Sequence, residues 1–312
     1  MNASPLTTET QSVRRHRYFS FQRVLTIAGG TFTQLVRMKV FLFMLFFAAA
    51  IIASGFAFAN LKTEQELKTM KDIGFAGMSF FCMIFAIAGT ALLLPKDVED
   101  RTLYTILCKP VPRLEYLMGK LAGVVILIFI SLVCMDVLFS AVLHLKEKAV
   151  TADLVENLDF RRTLSSGERE VAEREIYERT SVQGLTWNLQ AGVAAIFLKS
   201  VVLAIVALLM STLASSTLFT IMASLAVMVI GHAQSMAREY LLAENAAGAV
   251  AWFIAGAVAL LFPDFKSFDI VDAVVTGVSV PAAALWQMGG LTAVYVTLYM
   301  LAAWVIFAGK EL

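Results

Sequence analysis

The sequence is short of charge. Asp, Glu, Lys and Arg make up 16% of its 312 residues, where a soluble domain carries about 25%. The deficit falls in blocks of about 20 residues, the length that crosses ~30 Å of hydrocarbon at ~1.5 Å per residue. This is the composition of a polytopic membrane protein, and 59% of the residues are hydrophobic. Net charge is +1, so no global field points to a nucleic-acid partner.

Chemistry-bearing patterns are also scarce. The three cysteines, Cys82, Cys108 and Cys134, are widely spaced without a CxxC, which argues against a thiolate metal site or a disulfide framework. The three histidines, His16, His144 and His232, are far apart in sequence. There is no HExxH or GxSxG. A phosphate-cradling P-loop needs an upstream glycine and a Ser or Thr after Gly-Lys. Here Gly119-Lys120 is followed by Leu121 and lacks that glycine. The chain is therefore expected to be no enzyme, to hold no metal, and to bind no nucleotide through a P-loop.

What is present is a series of apolar runs. Residues 1–17 carry Arg14, Arg15 and Arg17 and read as a disordered basic tail. Residues 18–38 place Phe21, Val24, Leu25, Phe32, Leu35 and Val36 at helical spacing beside Arg23 and Arg37. That pattern predicts an amphipathic surface helix, broken near Gly29-Gly30. Spans are expected at about 40–59, 73–95, 121–143, 191–213, 217–235 and 284–308, with a polar loop from Asn60 to Asp72. Ala57-Phe58-Ala59 resembles a signal-peptidase site, but the polar region before this run is too long for a signal n-region, so a retained first span is expected. The uncharged run Ser200–Ala237 is too long for one crossing and is expected to turn back at the Ser/Thr cluster 211–217. Residues 144–190 form an outer polar region in which Glu170/Arg174 and Glu175/Arg179 stand at i,i+4, as in a solvated helix. The Ala/Gly-rich stretch 246–262 is the ambiguous one, either a seventh crossing or an outer helix. The six Lys and Arg of the N-terminal segment against one acid, Glu9, favour that end inside.

Two ionisable residues fall inside spans, where such groups are functional candidates. Asp136 and Lys199 are expected at nearly equal depth, which allows two readings. They form an ion pair locking spans three and four, or Lys199 snorkels outward while Asp136 faces a wet cavity.

The stretch EDRTLYTILCKPVPRLEYLMGK (99–120) is a dense polar element between two spans. Residues 96–107 predict a short amphipathic helix, with Val98, Leu103, Ile106 and Leu107 on one side and Lys96, Asp97, Asp100 and Arg101 on the other. Pro110 and Pro112 stop it and stiffen the turn. The order Glu99, Thr102-Leu103, Pro110-Val111-Pro112-Arg113, Tyr116, Gly119-Lys120 resembles the ABC transporter type 2 permease family. The flavour is that of the nitrous oxide reductase and multi-copper-enzyme maturation permeases. Gly231-His232 and Pro263-Asp264 with Phe268 add weaker matches.

This resemblance implies an all-α fold of six spans in the cytoplasmic (inner) membrane, both termini cytoplasmic, with outer-face helices between spans five and six. Residues 18–38 would be the connecting helix, and 246–262 a non-spanning outer helix. Residues 96–107 would be the coupling helix that docks on a separate ATPase subunit, through Glu99, Arg101, Thr102, Leu103, Tyr104, Pro110 and Arg113. The chain would carry no cofactor of its own, with ATP and Mg on that partner. It would work as a homodimer or as a heterodimer with a related permease. Arg23, Arg37 and Lys120 are expected to anchor to the lipid bilayer, with Arg113 also placed to meet lipid phosphates. Phe80, Phe81, Phe85, Phe219 and Met222 are expected to line a pathway.

Two other readings stand beside this permease. The long 144–190 region would allow a non-transporting mechanotransmitter that acts on a periplasmic protein. An ATP-independent secondary transporter or channel is the third, although such proteins commonly show repeats and midplane charges. Here no repeat is visible, and the only two charges, Asp136 and Lys199, lie off the midplane.

Overall fold

A computed structural model describes residues 19–37, 46–47, 49–51, 53, 63–99, 111–160, 166–184, 186–214, 216–243 and 262–309. Among them every regular element is helical. Five helices are long and apolar enough to cross a membrane. We label the helices α1 (Phe21–Val36), α2 (Thr63–Glu99), α3 (Arg113–Phe160), α4 (Ser166–Gln183), α5 (Asn188–Leu213), α6 (Thr217–Ala243), α7 (Val271–Val275) and α8 (Ala282–Gly309). A 3₁₀ turn covers Phe265–Phe268.

α5 is the centre of the bundle. It has no Asp, Glu or Arg, and Lys199 is its one charged residue. A helix that is apolar on all sides must be enclosed, and Val202–Leu209 are buried without a break. α2, α3, α6, α7 and α8 all pack on it. Its bounds agree with the span expected at 191–213, and α6 and α8 likewise contain the expected 217–235 and 284–308. The turn between α5 and α6 falls at residues 214–216, within the predicted Ser/Thr cluster. The outer helices show the inverse of a soluble surface. Phe129, Ile130 and Val133 of α3 and Val294, Leu298 and Leu301 of α8 are exposed, as side chains facing lipid would be.

Two helices overrun their predicted spans. α3 has 48 residues, about 72 Å at ~1.5 Å per residue, against ~30 Å of hydrocarbon. Its last third is the first third of the predicted outer polar region. α4 returns along it as the solvated helix expected near 167–180, with Arg174 and Glu170 3.9 Å apart. α2 begins at Thr63, inside the predicted loop 60–72, and passes Pro95 to reach Glu99. The expected start of a separate coupling helix at 96 is therefore corrected: 96–99 continue α2. One consequence is that Lys71, assigned to a loop by the sequence, is fully buried in α2, with Glu147 of α3 as its acidic neighbour.

α1 is also corrected. It runs through Gly29-Gly30 without a break. Val24, Ala28, Thr31 and Leu35 form its buried stripe; the first three meet α3 and Leu35 reaches Gly89 of α2, while Phe21 and Leu25 remain exposed on another side.

The packing defines two faces. At one, α1, the end of α2, the start of α3 and the end of α8 meet. At the other lie α4, the start of α5 and the segment 263–280. On this second face Trp187 and Trp286 are 90% and 81% exposed, as amphipathic indoles stand at a membrane–water boundary. α7 ends in a Schellman turn: Val278 N–H bonds to Ala273 O at 2.9 Å and Gly277 N–H to Val274 O at 3.2 Å. Gly277 takes φ 82° there, a conformation that favours glycine. The turn delivers Val278 and Val280 to Asn188, whose side chain donates to Val278 O at 2.6 Å and accepts from Val280 N–H at 2.9 Å. The basic tail 1–17, most of the first span 40–59, and 246–261 of the proposed outer helix lie outside the described residues.

Candidate functional site

The start of α3, Arg113 to Gly123, is the polar centre of the first face. Glu115 is 1% exposed. Its Oε2 accepts from Arg23 Nε at 2.6 Å, and its Oε1 accepts from Arg23 Nη2 at 2.8 Å and from Ser20 N–H at 3.0 Å. This fork holds α1 at its first turn and also occupies an orphan backbone donor there. The hydrogen bond to Glu115 raises the Arg23 pKa above the ordinary guanidinium value. Arg23 is thus a clamp between helices and not the lipid anchor the sequence predicted. Lys120 is likewise corrected. It is buried, with its ammonium 5.6 Å from the centre of the Tyr116 ring. Arg37, at the C-cap of α1, is exposed and open to lipid or solvent.

Arg113 binds the far end of the chain. Its Nη1 donates to Phe307 O at 2.6 Å and Ala308 O at 2.7 Å, and the guanidinium stands 5.7 Å from the Phe307 ring centre. It therefore caps the last carbonyls of α8, where a cation also meets the negative end of the helix dipole. Tyr116 stacks on Phe307 at 6.0 Å. Arg113 is consequently engaged within the chain, at a partly exposed site.

Two glycines complete the junction. A Cβ on Gly119 would stand 2.7 Å from Ile27 Cβ, and one on Gly123 would stand 2.6 Å from Thr31 Cβ and 2.8 Å from Ala28 O. α1 and α3 approach this closely only because both positions lack side chains. The spacing Gly-x-x-x-Gly, legible at 119–123, is the close-packing signal for helix pairs, and the sequence reading passed over it.

The Arg23–Glu115 clamp sets a testable order of stabilities. Arg23→Ala strands a buried carboxylate and is expected to lower the thermal midpoint more than the double variant Arg23→Ala/Glu115→Gln, because a lone buried charge is worse than none. Equal midpoints for the single and double variants would count against the clamp.

Of the residues predicted to grip an ATPase, Arg101, Thr102, Leu103, Tyr104 and Pro110 lie outside the described residues, as does the side chain of Glu99. The described flanks are helical: the end of α2 on one side and the Arg113–Gly123 start of α3 on the other. The predicted pathway residues divide. Phe81 and Phe85 are buried, Phe81 against Phe46, Phe47 and Phe80. They fill the interior of the chain instead of lining a pathway. Phe80, Phe219 and Met222 are exposed.

Asp136 and Lys199 are not paired. Asp136 Oδ2 accepts from Gln190 Nε2 at 3.1 Å, so its partner on α5 is two turns nearer the second face than Lys199. Lys199 borders a cavity of about 290 Å³ between α2, α5 and α6, with Ser79, Phe80, Ser200, His232 and Phe265. The nearly equal depth expected from the sequence is therefore corrected: Asp136 stands level with Gln190, about 13 Å along α5 from Lys199.

The two weaker sequence matches meet in one contact. Gly231 packs directly under the carbonyl of Pro263 and beside Phe265. His232 stacks on Phe265 at 5.5 Å, while its Nδ1 lies 2.9 Å from Met228 O. Asp264 caps the 3₁₀ turn, accepting from Lys266 N–H at 3.1 Å and from the Ser267 hydroxyl at 3.0 Å. Phe265 and Phe268 are buried. These residues seat the 263–268 turn against α5 and α6.

Compared with models of protein families and with curated proteins, the sequence matches none.

Proposed function

We propose that the chain is the membrane-spanning permease subunit of an ABC transporter of the exporter type, driven by ATPase subunits on separate chains. The observation that carries this reading is the junction at the first face. The charged 100–110 segment leaves from the end of α2 and returns at Arg113, where α1 and the end of α8 are both fastened. A partner that pushed on that segment would push on α1, α2, α3 and α8 together. Such an element must be stiffly mounted to transmit force, and clamps, caps and glycine contacts mount it. The bound ATP and Mg would belong to the partner and supply the hydrolysis; the role of this chain is to receive the motion.

The helix order supports six spans with both termini at the first face, the cytoplasmic one in this reading. α1 lies at that face and α2 begins near the second, which supports the expected span at 40–59. Gly231 touches Pro263, and Val280 touches Asn188. The described flanks on both sides of 244–261 thus lie toward the second face, which favours 246–262 as a non-spanning outer segment. Phe80, Phe219 and Met222 remain exposed for a second permease copy, the lipid or a pathway.

A specific feature favours a second reading within the same fold. α3 is continuous from the junction at Arg113 to Phe160. A tilt at one end is carried to the α3–α4 hairpin beyond the other face. The chain would then convey ATP-driven motion to a periplasmic protein docked on 144–190, without transport.

The test is co-purification of the full chain with a candidate ATPase subunit in nanodiscs, followed by ATPase turnover. A stable complex is expected, lost in Glu99→Ala, Arg101→Ala and Leu103→Ala combined, while the thermal midpoint of the chain alone is unchanged. Assembly and turnover unaffected by the triple substitution would reject the coupling role. Deleting 150–184 separates the two readings: a transporter retains substrate-stimulated turnover, whereas a mechanotransmitter loses its partner's response.

A further inference from the structure

The cavity beside Lys199 is not used by the coupling mechanism above. Lys199 lies 11 residues after Asn188 on α5, about 16 Å along the helix axis. It is half-buried there, well below the level of Trp187. Its sequence-predicted partner Asp136 is held by Gln190. Asp269, on the 263–280 segment, is the acid whose charge reaches it, but among the described residues no carboxylate lies within 4.0 Å of the Lys199 ammonium. A cation at membrane depth without a close counter-charge costs several kcal/mol. Something must offset that cost.

The cavity leaves room for a counter-ion beside Lys199. Ser79 contributes a hydroxyl-bearing side chain to the same lining. The Ser200 hydroxyl donates to Ile196 O at 2.7 Å, so it has no proton to give an anion, and that role falls to Lys199. His232 is fixed in orientation by Met228 O and by its stack on Phe265. The remaining walls are apolar, formed by Met83, Leu203, Met228 and Phe265. Ala76 and Phe80 stand one turn apart on α2 and are both exposed, so they form the rim on the outside of the bundle. About 290 Å³ sits at the bottom of the range for small-molecule pockets, ~300–1,000 Å³. It accommodates an acidic headgroup and a few carbons, not a whole two-chain lipid.

We propose that this cavity binds the acidic headgroup of an amphiphile, with the anion on Lys199 and the acyl chain leaving past Ala76 and Phe80 into the bilayer. The ligand class is a carboxylate or phosphate carried on hydrocarbon. Its source is either a membrane lipid or a free single-chain amphiphile.

The measurement uses the full chain in phosphatidylcholine nanodiscs, without any ATPase, so that its failure leaves the permease reading untouched. Radiolabelled oleate is compared with oleyl alcohol, and dioleoyl phosphatidic acid with dioleoyl glycerol. At least one acidic probe is expected to bind saturably and about tenfold tighter than its neutral match, the size of one charge-assisted contact. Oleate alone would identify a free amphiphile, phosphatidic acid alone a lipid headgroup, and both an unselective headgroup site. Lys199→Met, which keeps the length and removes the charge, is expected to abolish the preference, and Lys199→Arg to retain it. Ala76→Phe, at the exposed rim with Lys199 intact, is expected to weaken acidic binding and guards against a folding defect in the Lys199 variants. The proposal fails if neither acidic probe is preferred, or if the preference survives Lys199→Met.

Discussion

Gly123→Ala is expected to lower the unfolding free energy of the detergent-solubilised chain by about 2–3 kcal/mol, the upper part of the range for overpacking. The added Cβ would meet not only the Thr31 side chain but the backbone oxygen of Ala28, 2.8 Å away. A side chain can rotate aside; a helix backbone must move as a body. α1 is therefore expected to lift from α3, with faster amide exchange across 21–36. Gly119→Ala meets Ile27 Cβ at 2.7 Å and Val24 O at 3.1 Å. Its looser backbone contact sets a smaller expected loss, about 1–2 kcal/mol. Gly30→Ala is the internal control. A Cβ there meets nothing within 4 Å, so the gain in helix propensity, about 1 kcal/mol, is expected to appear as added stability. If all three substitutions had the same effect, close approach of α1 to α3 would not be what the glycines provide.

Arg113→Ala has the second largest expected effect. Two carbonyls at the end of α8 lose a charged donor, and Phe307 loses a cation over its ring. Hydrogen bonds to charged groups contribute about 1.5–3 kcal/mol each in favourable settings. Because both bonds come from one nitrogen at a partly exposed site, the expected loss is about 2 kcal/mol. It should appear in thermal unfolding and as fraying of residues 303–309 in hydrogen exchange. Arg113→Lys is expected to recover only part of it, since an ammonium lacks the planar surface that lies over Phe307. Unchanged protection at the end of α8 in Arg113→Ala would show that the cap is not what holds it.

The legibility of the sequence follows from what each signal reports. An uncharged run reports its solvent, and that is why α5, α6 and α8 lie where expected. Hydropathy does not report where a helix stops. α3 continues 17 residues beyond Leu143, the predicted end of its span. The signal for this continuation was present, because no Gly or Pro occurs between Gly123 and Gly167. Pro95 misled in the opposite direction. A proline removes one backbone donor, but helices in membranes tolerate it where neighbours compensate, and α2 continues to Glu99. Gly29-Gly30 were read as a break on propensity alone, while the buried stripe Val24, Ala28, Thr31, Leu35 holds α1 together through its packing on α3.

The polar residues were less legible. Arg23, Arg113 and Lys120 all read as surface cations awaiting lipid or a partner, yet each is drawn into contacts within the chain. Phe81 and Phe85 differ from Phe80 only in the side of α2 they occupy, which depends on where Phe47 and the other helices lie.

The sequence by itself determined that this is a helical, membrane-type protein, and where the apolar cores of its five described long helices fall. That information is local: in lipid each backbone must satisfy its own hydrogen bonds, and an apolar run of sufficient length does so as a helix. What the charges and glycines do was decided only by the tertiary structure. Arg23 meets Glu115 across 92 residues and Arg113 meets Phe307 across 194, and no local signal measures such separations. Asp136 and Lys199 have the right charges for a pair, but Asp136 stands level with Gln190, nine residues along α5 from Lys199. How far the two packed helices slide along each other brings one to Gln190 and leaves the other facing a cavity.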